Sequence, residues 1–153
     1  MKRINEYKKL FKIEAEIDLK QLKTTYRNLI KEVHPDKFQD ENEQIEAEMK
    51  SKKIIDGYHF LISIAPETKA SNLPEYLITT SESGIANLKH KGQLLEVSFN
   101  DGTTYEYFGV SPTLFTKLIN SDKQFRFAKR SIFNSFLYRK SKKDVEVENS
   151  STA

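Results

Sequence analysis

Two hydrophobic periods divide this sequence, a helical one in the first half and an alternating one in the second. The helical period predicts a short first helix, a second helix that follows Asp18, and a third from about Glu41 to Ala65. Pro35 restricts the residue before it and cannot continue the helical hydrogen bonds, so the second helix should end at His34. The second and third helices should then pack antiparallel. The apolar stripes of the three helices are Ile4, Tyr7, Leu10 and Phe11; Leu19, Leu22, Tyr26, Leu29, Ile30 and Val33; and Ala47, Ser51, Ile54, Tyr58, Leu61, Ile62 and Ala65.

The second half changes period after a segment that predicts a linker, residues 67–83, where prolines flank a polar run. Apolar and polar side chains alternate from Leu95 to Phe99, which predicts a half-buried strand. The Asp101-Gly102 pair that follows predicts a hairpin turn, with residues 103–108 as the partner strand. Ser111-Pro112 predicts a capped helix whose buried side holds Leu114, Phe115, Leu118 and Ile119, and a further helix should cover 125–137.

The predicted fold class is therefore α + (α+β). A helical hairpin with a short flanking helix comes first, followed by a small antiparallel β-hairpin or sheet with packed helices. The tail, 141–153, is polar, and we expect it to be disordered.

Composition narrows the function classes. The chain has 153 residues, a net charge of +3 and no cysteine, which excludes disulfides, thiolate chemistry and cysteine-ligated zinc. It has no apolar run long enough to span a bilayer and no apolar core behind its N-terminal charges, so we expect a cytoplasmic protein without a membrane partner. His59 and His90 have no partner at metal-ligand spacing, and no nucleophile motif or glycine-rich phosphate loop occurs. We expect no metal site, no cofactor, no catalytic residue and no enzymatic activity.

The most specific chemical signal is the triplet His34-Pro35-Asp36 at the end of the second helix. By itself it could be a proline-stopped helix followed by a polar turn, in which Asp36 bonds local amides. A basic stripe on the helix before it changes this interpretation. The stripe consists of Lys20, Lys23, Arg27 and Lys31.

These features resemble the J-domain, the module by which co-chaperones engage DnaK-type heat-shock ATPases. The resemblance runs from about Ile4 to Ala65, and it includes Tyr26, eight residues before the histidine, and the third-helix segment 54–61. This sequence departs from the family at Ile55, often asparagine there, and at Gly57, usually alanine. A narrower resemblance is to the J-proteins of iron–sulfur cluster assembly, on Leu10-Phe11 and residues 34–38, but their helical C-terminal domain is replaced here by β-hairpin patterning.

The J-domain resemblance implies a site and a partner. The triplet would engage the ATPase and promote ATP hydrolysis there, while the basic stripe would dock against acidic residues of the ATPase. The implied chaperone-binding residues are His34, Pro35, Asp36, Lys20, Lys23, Arg27, Lys31 and Lys37.

A second charged region, Lys123 to Lys143, carries eight Lys or Arg and no acid, interleaved with aromatic residues. Cations bind phosphates and aromatic rings can stack on bases, so this region could bind RNA. The alternative, which we favour, is a cationic amphipathic helix whose phenylalanines belong to the core. The candidate nucleic-acid-binding residues are Arg126, Lys129, Arg130 and Arg139.

The second half as a whole resembles the KTSC domain, a small α+β module at the end of some lysyl-tRNA synthetases. The resemblance covers about Gly84 to Arg139 and includes residues 94–99, Tyr105 to Tyr107 and Ser111-Pro112. The sequence departs from the family at Asp122, because the family usually has glycine after the serine that is Ser121 here. The resemblance implies a fold more than a function.

These observations predict a J-domain over 1–66, a linker over 67–83, a KTSC-like domain over 84–140 and the tail. The function they favour is a J-domain co-chaperone that stimulates a DnaK-type ATPase, with the C-terminal domain as adaptor or binding module for an unknown client protein. The alternative is a nucleic-acid-binding adaptor that recruits the chaperone to RNA.

Overall fold

The computed structural model describes residues 2–141, so the tail predicted over 141–153 lies outside the described residues apart from Ser141, which is buried. The chain divides into two compact units, Lys2–Ala70 and Ser71 onward. The helices are α1 (Lys2–Leu10), α2 (Leu19–Val33), α3 (Glu41–Ile64), α4 (Pro66–Glu82), α5 (Pro112–Ile119) and α6 (Gln124–Ser131), with a 3₁₀ turn at Pro35–Lys37. The strands are β1 (Ile85–Lys91), β2 (Leu94–Phe99), β3 (Thr104–Phe108) and β4 (Leu137–Lys140). The mixed α+β class is thus confirmed.

The first helices begin and end where local chemistry dictates. Asp18 caps α2 by accepting a hydrogen bond from the Lys20 amide at 2.9 Å, and α2 ends at the residue before His34. After α1 the backbone turns through Lys12, whose φ of 56° lies in the left-handed region. The Ile13 amide then donates to the Lys8 carbonyl at 2.8 Å, a bond typical of a Schellman C-cap.

The antiparallel packing of α2 and α3 appears in two contacts. Ser51 Oγ donates to the Val33 carbonyl at 3.2 Å, at the end of α2 where the triplet begins. Further from that end, the rings of Tyr26 and Tyr58 stack with their centroids 4.1 Å apart. Because the α3 partner moves forward along the chain as the α2 residue moves back, the helices run in opposite directions.

The core of the first unit differs in part from the predicted α3 stripe. Ser51, Tyr58 and Ile62 are only half-buried, whereas Gly57 and Phe60 are buried. The reason is α1, which packs on a face of α3 beside the one that meets α2. The buried hydrophobic residues of this unit are Ile4, Phe11, Ile17, Leu22, Ala47, Ile54, Phe60, Leu61, Ile64 and Ala65.

Gly57 allows the close approach of α1. A Cβ at this position would lie 2.8 Å from Cδ1 of Tyr7 and 3.2 Å from Cε2 of Phe11. The Tyr7 ring also packs on Phe60, with centroids 5.3 Å apart, so it has little room to move. Gly57, which departs from the J-domain pattern, therefore leaves the space on α3 that the Tyr7 ring occupies.

The prediction of a linker over 67–83 is wrong, because this segment forms most of α4. Pro66 occupies the first position, where a missing amide proton costs nothing, and the second proline, Pro74, lies inside the helix. Tertiary packing compensates for that proline, since Tyr76, Thr79 and Thr80 on the next turns are buried. The division between the two units falls within α4.

The second unit contains a four-stranded antiparallel sheet in the order β1-β2-β3-β4. The sequence predicted β2 and β3 but neither edge strand. β1 is mostly polar, and its buried and exposed positions alternate only weakly. The chain reverses direction between β1 and β2 at Gly92, whose φ is 63°. The predicted helix 125–137 is wrong at its end: α6 stops at Ser131, and Leu137 begins β4.

The hairpin turn between β2 and β3 forms as predicted, but with different geometry. Only Gly102 takes a positive φ, 92°, whereas Asp101 accepts hydrogen bonds from the Thr103 amide at 3.0 Å and the Thr103 hydroxyl at 2.6 Å. From α4, Thr79 Oγ1 also donates to this carboxylate at 2.7 Å. Burial acts to raise the pKa of Asp101, but these hydrogen bonds, helped by the Lys140 charge, outweigh it and lower the pKa.

Helices α4, α5 and α6 share the hydrophobic core of the sheet. Ser111 caps α5 by accepting from the Leu114 amide at 3.1 Å, and Leu118 is fully buried as predicted, but Ile119 is 47% exposed. The buried members of this core are Tyr76, Leu95, Val97, Phe99, Tyr105, Tyr107, Val110, Leu118, Ala128, Ile132, Phe133 and Tyr138.

Tyr76 connects α4 to this core. Its ring stacks on Tyr138 with centroids 3.8 Å apart, and its hydroxyl donates to the Phe133 carbonyl at 2.6 Å. Because that proton is committed, the Tyr107 hydroxyl donates to Tyr76 Oη, 2.9 Å away. Burial raises the pKa of both Tyr76 and Tyr107, so both hydroxyls stay protonated.

Candidate chaperone-binding and nucleic-acid-binding sites

The four predicted cations of α2 form one exposed surface, which we call the α2 basic face: Lys20, Lys23, Arg27 and Lys31. At about 100° per residue, these positions fall within about 80° of arc and extend over about 16 Å of helix. No ion pair involves any of them within the described part of the chain. The surface therefore presents four positive charges that no carboxylate among residues 2–141 pairs with.

The triplet continues this face beyond the end of α2. His34 follows Lys31 at helical spacing, and the 3₁₀ turn Pro35–Lys37 starts directly after it. His34 Nδ1 accepts a hydrogen bond from the Asp36 amide at 3.2 Å and lies 3.5 Å from the Asp36 carboxylate. The His34 and Asp36 side chains are 51% and 92% exposed, so both are open to a partner.

Two side chains of α3 bond to the backbone on either side of this turn. Ser51 donates to the carbonyl of Val33, the last residue of α2, and Gln44 Nε2 donates to the carbonyl of Phe38 at 2.7 Å. The turn adds its own bonds from the Lys37 and Phe38 amides to the His34 and Pro35 carbonyls, at 3.0 and 3.1 Å. All eight predicted chaperone-binding residues thus lie on one helix and the turn that follows it.

The predicted nucleic-acid-binding residues do not all come together. Arg126, Lys129 and Arg130 are exposed on α6. An open groove of about 330 Å³ runs beside this helix. It is lined by Ser121, Asp122, Lys123, Arg126, Phe127 and Arg130.

Arg139 is not part of this surface, so its assignment as a nucleic-acid-binding residue is wrong. It lies on β4 in register with Glu106 of β3, and its Nε donates to the Glu106 carboxylate at 2.8 Å. Both side chains are only 8% exposed. Strand pairing places the arginine in a buried ion pair, which a one-dimensional run of basic residues cannot reveal.

The aromatic residues of this region belong mainly to the core, as the favoured alternative predicted. Phe133 is buried, and Phe125 and Phe136 pack against the same core. Phe127 also packs there, but it borders the groove, and the Arg130 guanidinium carbon lies 5.9 Å from its ring centroid.

The two histidines outside the triplet lie in different surroundings. His59 is exposed on α3, and His90 Nε2 is bonded to the Val110 carbonyl at 2.8 Å while its ring stacks on Phe115. Within residues 2–141, no group of three or more His, Asp or Glu side chains could hold a metal ion. The same residues contain no helix that is long and apolar enough to cross a membrane.

Sequence reasoning missed three residues of these sites. Ser51 was placed on the apolar stripe of α3, and Gln44 was not singled out. Lys123 was named only as the start of a charged region, yet it lines the groove. Helical spacing could have found Lys123, which precedes Arg126 and Arg130 by three and seven positions, whereas the two α3 bonds depend on how α3 packs against α2.

Two comparisons with known proteins bear on these sites. A family model of the KTSC domain matches residues 83–136, which confirms the resemblance of the C-terminal part. The chain is also 38% identical over 91 residues to a protein named co-chaperone protein HscB homolog, from Colwellia psychrerythraea. That alignment covers 57% of this chain and 49% of the relative, so the chain matches about half the length of that protein.

Proposed function

We propose that this protein is a J-domain co-chaperone that binds a DnaK-type ATPase and stimulates its ATP hydrolysis. The observation that carries the proposal is the turn at the end of the α2 basic face, where the His34 and Asp36 side chains are exposed and no described carboxylate pairs with the four cations. The similarity to a curated co-chaperone supports the same role. The second unit, with its KTSC domain, would act as the adaptor or client-binding module.

The geometry supports a division of labour within the site. Four exposed cations attract an acidic surface over several ångströms and orient the encounter, an effect that falls with added salt. The triplet then makes short-range contacts through side chains that are already open to solvent. The chemistry remains that of the ATPase, and His34 takes no proton from a substrate of its own.

Single-turnover ATP hydrolysis by a DnaK-type chaperone tests the proposal. We expect wild-type protein to raise the hydrolysis rate and His34→Gln to remove the stimulation, because the glutamine cannot reproduce the imidazole contacts. The matched control is His59→Gln, the same exchange at another exposed histidine of the first unit, which should stimulate like wild type. Full stimulation by His34→Gln would contradict the proposal.

A second candidate function, RNA binding by the second unit, is favoured by one observation. Lys123, Arg126 and Arg130 fall within about 60° of arc along α6, on the side that the groove borders. The J-domain would then bring the chaperone to RNA.

The salt dependence of RNA affinity tests this candidate. If three cations contact phosphates, replacing all three by alanine should make the slope of log affinity against log salt less negative by about 2. Lys117→Ala, which removes an exposed cation from α5, is the control and should change little. Absence of binding to a single-stranded RNA by the wild-type chain at low salt would eliminate this function.

A further inference from the structure

We propose that Ser51 and Gln44 of α3 are positioning residues that hold the triplet turn in the conformation that signals to the ATPase. The inference rests on the proposed co-chaperone function and names residues that neither comparison assigns. Both residues would act through the backbone of the turn and would not touch the partner.

The two carbonyls that they bind lie on either side of the turn, on the last residue of α2 and on the residue after Lys37. In a continuing helix the Val33 carbonyl would accept from the amide of residue 37, but the Lys37 amide donates to His34 instead. Ser51 provides a partner for this carbonyl at 3.2 Å. On the other side, Gln44 provides one for Phe38 at 2.7 Å.

The triplet depends on such support because its own side chains are turned outward. Inside the turn, a single side-chain bond, from the Asp36 amide to His34 Nδ1, joins two of its members. The bonds from α3 are part-buried, whereas that internal bond is exposed and open to competition from water. The hydrogen bonds from α3 therefore contribute as much to the conformation of the turn as the bond within the triplet does.

Affinity and stimulation should respond differently to the loss of these bonds. The α2 basic face is untouched by a change at position 51 or 44, so the concentration that gives half-maximal stimulation should change less than twofold. The fraction of turns in the signalling conformation should fall, and maximal stimulation falls with that fraction. A net hydrogen-bond contribution of ordinary size lowers the equilibrium constant for that conformation by about three- to tenfold, so maximal stimulation should fall measurably, by at most that factor.

The experiment is a titration of the ATPase with full-length variants, read as maximal stimulation and half-saturating concentration. Ser51→Ala removes the donor and should lower the maximum, whereas Ser51→Thr keeps a hydroxyl and should restore it. Gln44→Met keeps the length of the side chain without its donor and should behave like Ser51→Ala. Ser63→Ala, which removes a hydroxyl that bonds within α3 itself, is the matched control.

A second readout needs no chaperone. Amide exchange at Lys37 and Phe38 should accelerate about three- to tenfold in Ser51→Ala relative to wild type, with amides in the middle of α3 unchanged. Unchanged exchange at these two amides would overturn the inference, as would a loss of affinity with the maximum intact. If wild type itself fails to stimulate, the proposed function fails, and the exchange measurement still decides whether α3 holds the turn.

Discussion

The two units use charged side chains in opposite ways. The first exposes a row of cations on α2 that no described carboxylate pairs with, whereas the second buries its Glu106–Arg139 pair within the sheet. The cations of α2 are therefore available to a partner, whereas the buried ion pair of the second unit contributes to the stability of the sheet. Charge in a sequence therefore has to be assigned to a face before it can be assigned to a function.

The difference follows from geometry. In a helix the positions three and four residues apart share a face, so the cations of α2 could be separated from its apolar stripe by counting. In a sheet, the neighbour of a residue depends on strand pairing. Lys89, Glu96, Glu106 and Arg139 occupy one row across four strands, although 50 positions separate the first from the last.

The largest effect that would sharpen this comparison is the loss of the buried arginine. Arg139→Ala should lower the free energy of unfolding by about 3–5 kcal/mol, because it leaves the Glu106 carboxylate buried without its ion-pair partner. Urea unfolding followed by circular dichroism measures it. Arg130→Ala, on the exposed surface of α6, should cost less than about 0.5 kcal/mol.

A double replacement separates the lost charge pair from lost packing. Glu106→Met with Arg139→Met should recover most of the stability, since two apolar side chains of similar length leave no buried charge. If Arg139→Ala alone cost less than about 1 kcal/mol, the pair would not be structural and the contrast between the units would fail.

The next effect concerns packing in the first unit. Gly57→Ala should destabilise by about 1–3 kcal/mol, because the new methyl group would meet the Tyr7 ring, even though alanine favours helix by about 1 kcal/mol. Thermal unfolding of the single variant and of Gly57→Ala with Tyr7→Leu tests this. The double variant should recover part of the loss, and a single variant more stable than wild type would show that α1 can shift freely.

A smaller effect concerns Asp101 and should depend on pH. Because the native pKa lies below the unfolded value of 3.8, the carboxylate stabilises the fold above that pH. This contribution is lost as the pH falls through the native pKa. Asp101→Asn should therefore lower the urea midpoint at pH 7, and the difference from wild type should shrink as the pH falls below about 4.

Thr79→Val provides the matched variant for that prediction. It removes one donor to the Asp101 carboxylate without altering the turn, so it should show the same pH dependence at reduced size. A constant difference between Asp101→Asn and wild type from pH 7 to pH 2 would mean that the carboxylate charge has no part in holding α4 to the turn.

The smallest effect on stability is expected on the α2 basic face. Arg27→Ala should change the free energy of unfolding by less than about 0.5 kcal/mol, because the guanidinium is exposed and forms no ion pair with residues 2–141. Its affinity for the ATPase should fall, and the deficit should shrink at high salt. Lys52→Ala on α3 is the control. If Arg27→Ala bound the ATPase with wild-type affinity at low salt, the α2 basic face would not be the docking surface.

The first unit and the central hairpin were predictable because their signals are local. Asp18 caps α2, Pro35 ends it, and Ser111 caps α5, each through bonds between residues close in the chain. The edge strands and α4 were not predictable, because their signals are weak or contradictory. Pro74 suggested a linker, but the buried face of α4 that carries Tyr76 outweighed it.

The sequence by itself determined the α+β class, the faces of α2 and the position of the triplet, since helical period, caps and proline act within a few residues. Only the tertiary structure decided which basic residues are exposed, which one lies in a buried ion pair, and which groups support the turn. Arg139 meets Glu106 through strand register, and Ser51 meets Val33 across 18 residues of chain. Such contacts depend on how elements pack, and no short stretch of sequence contains that information.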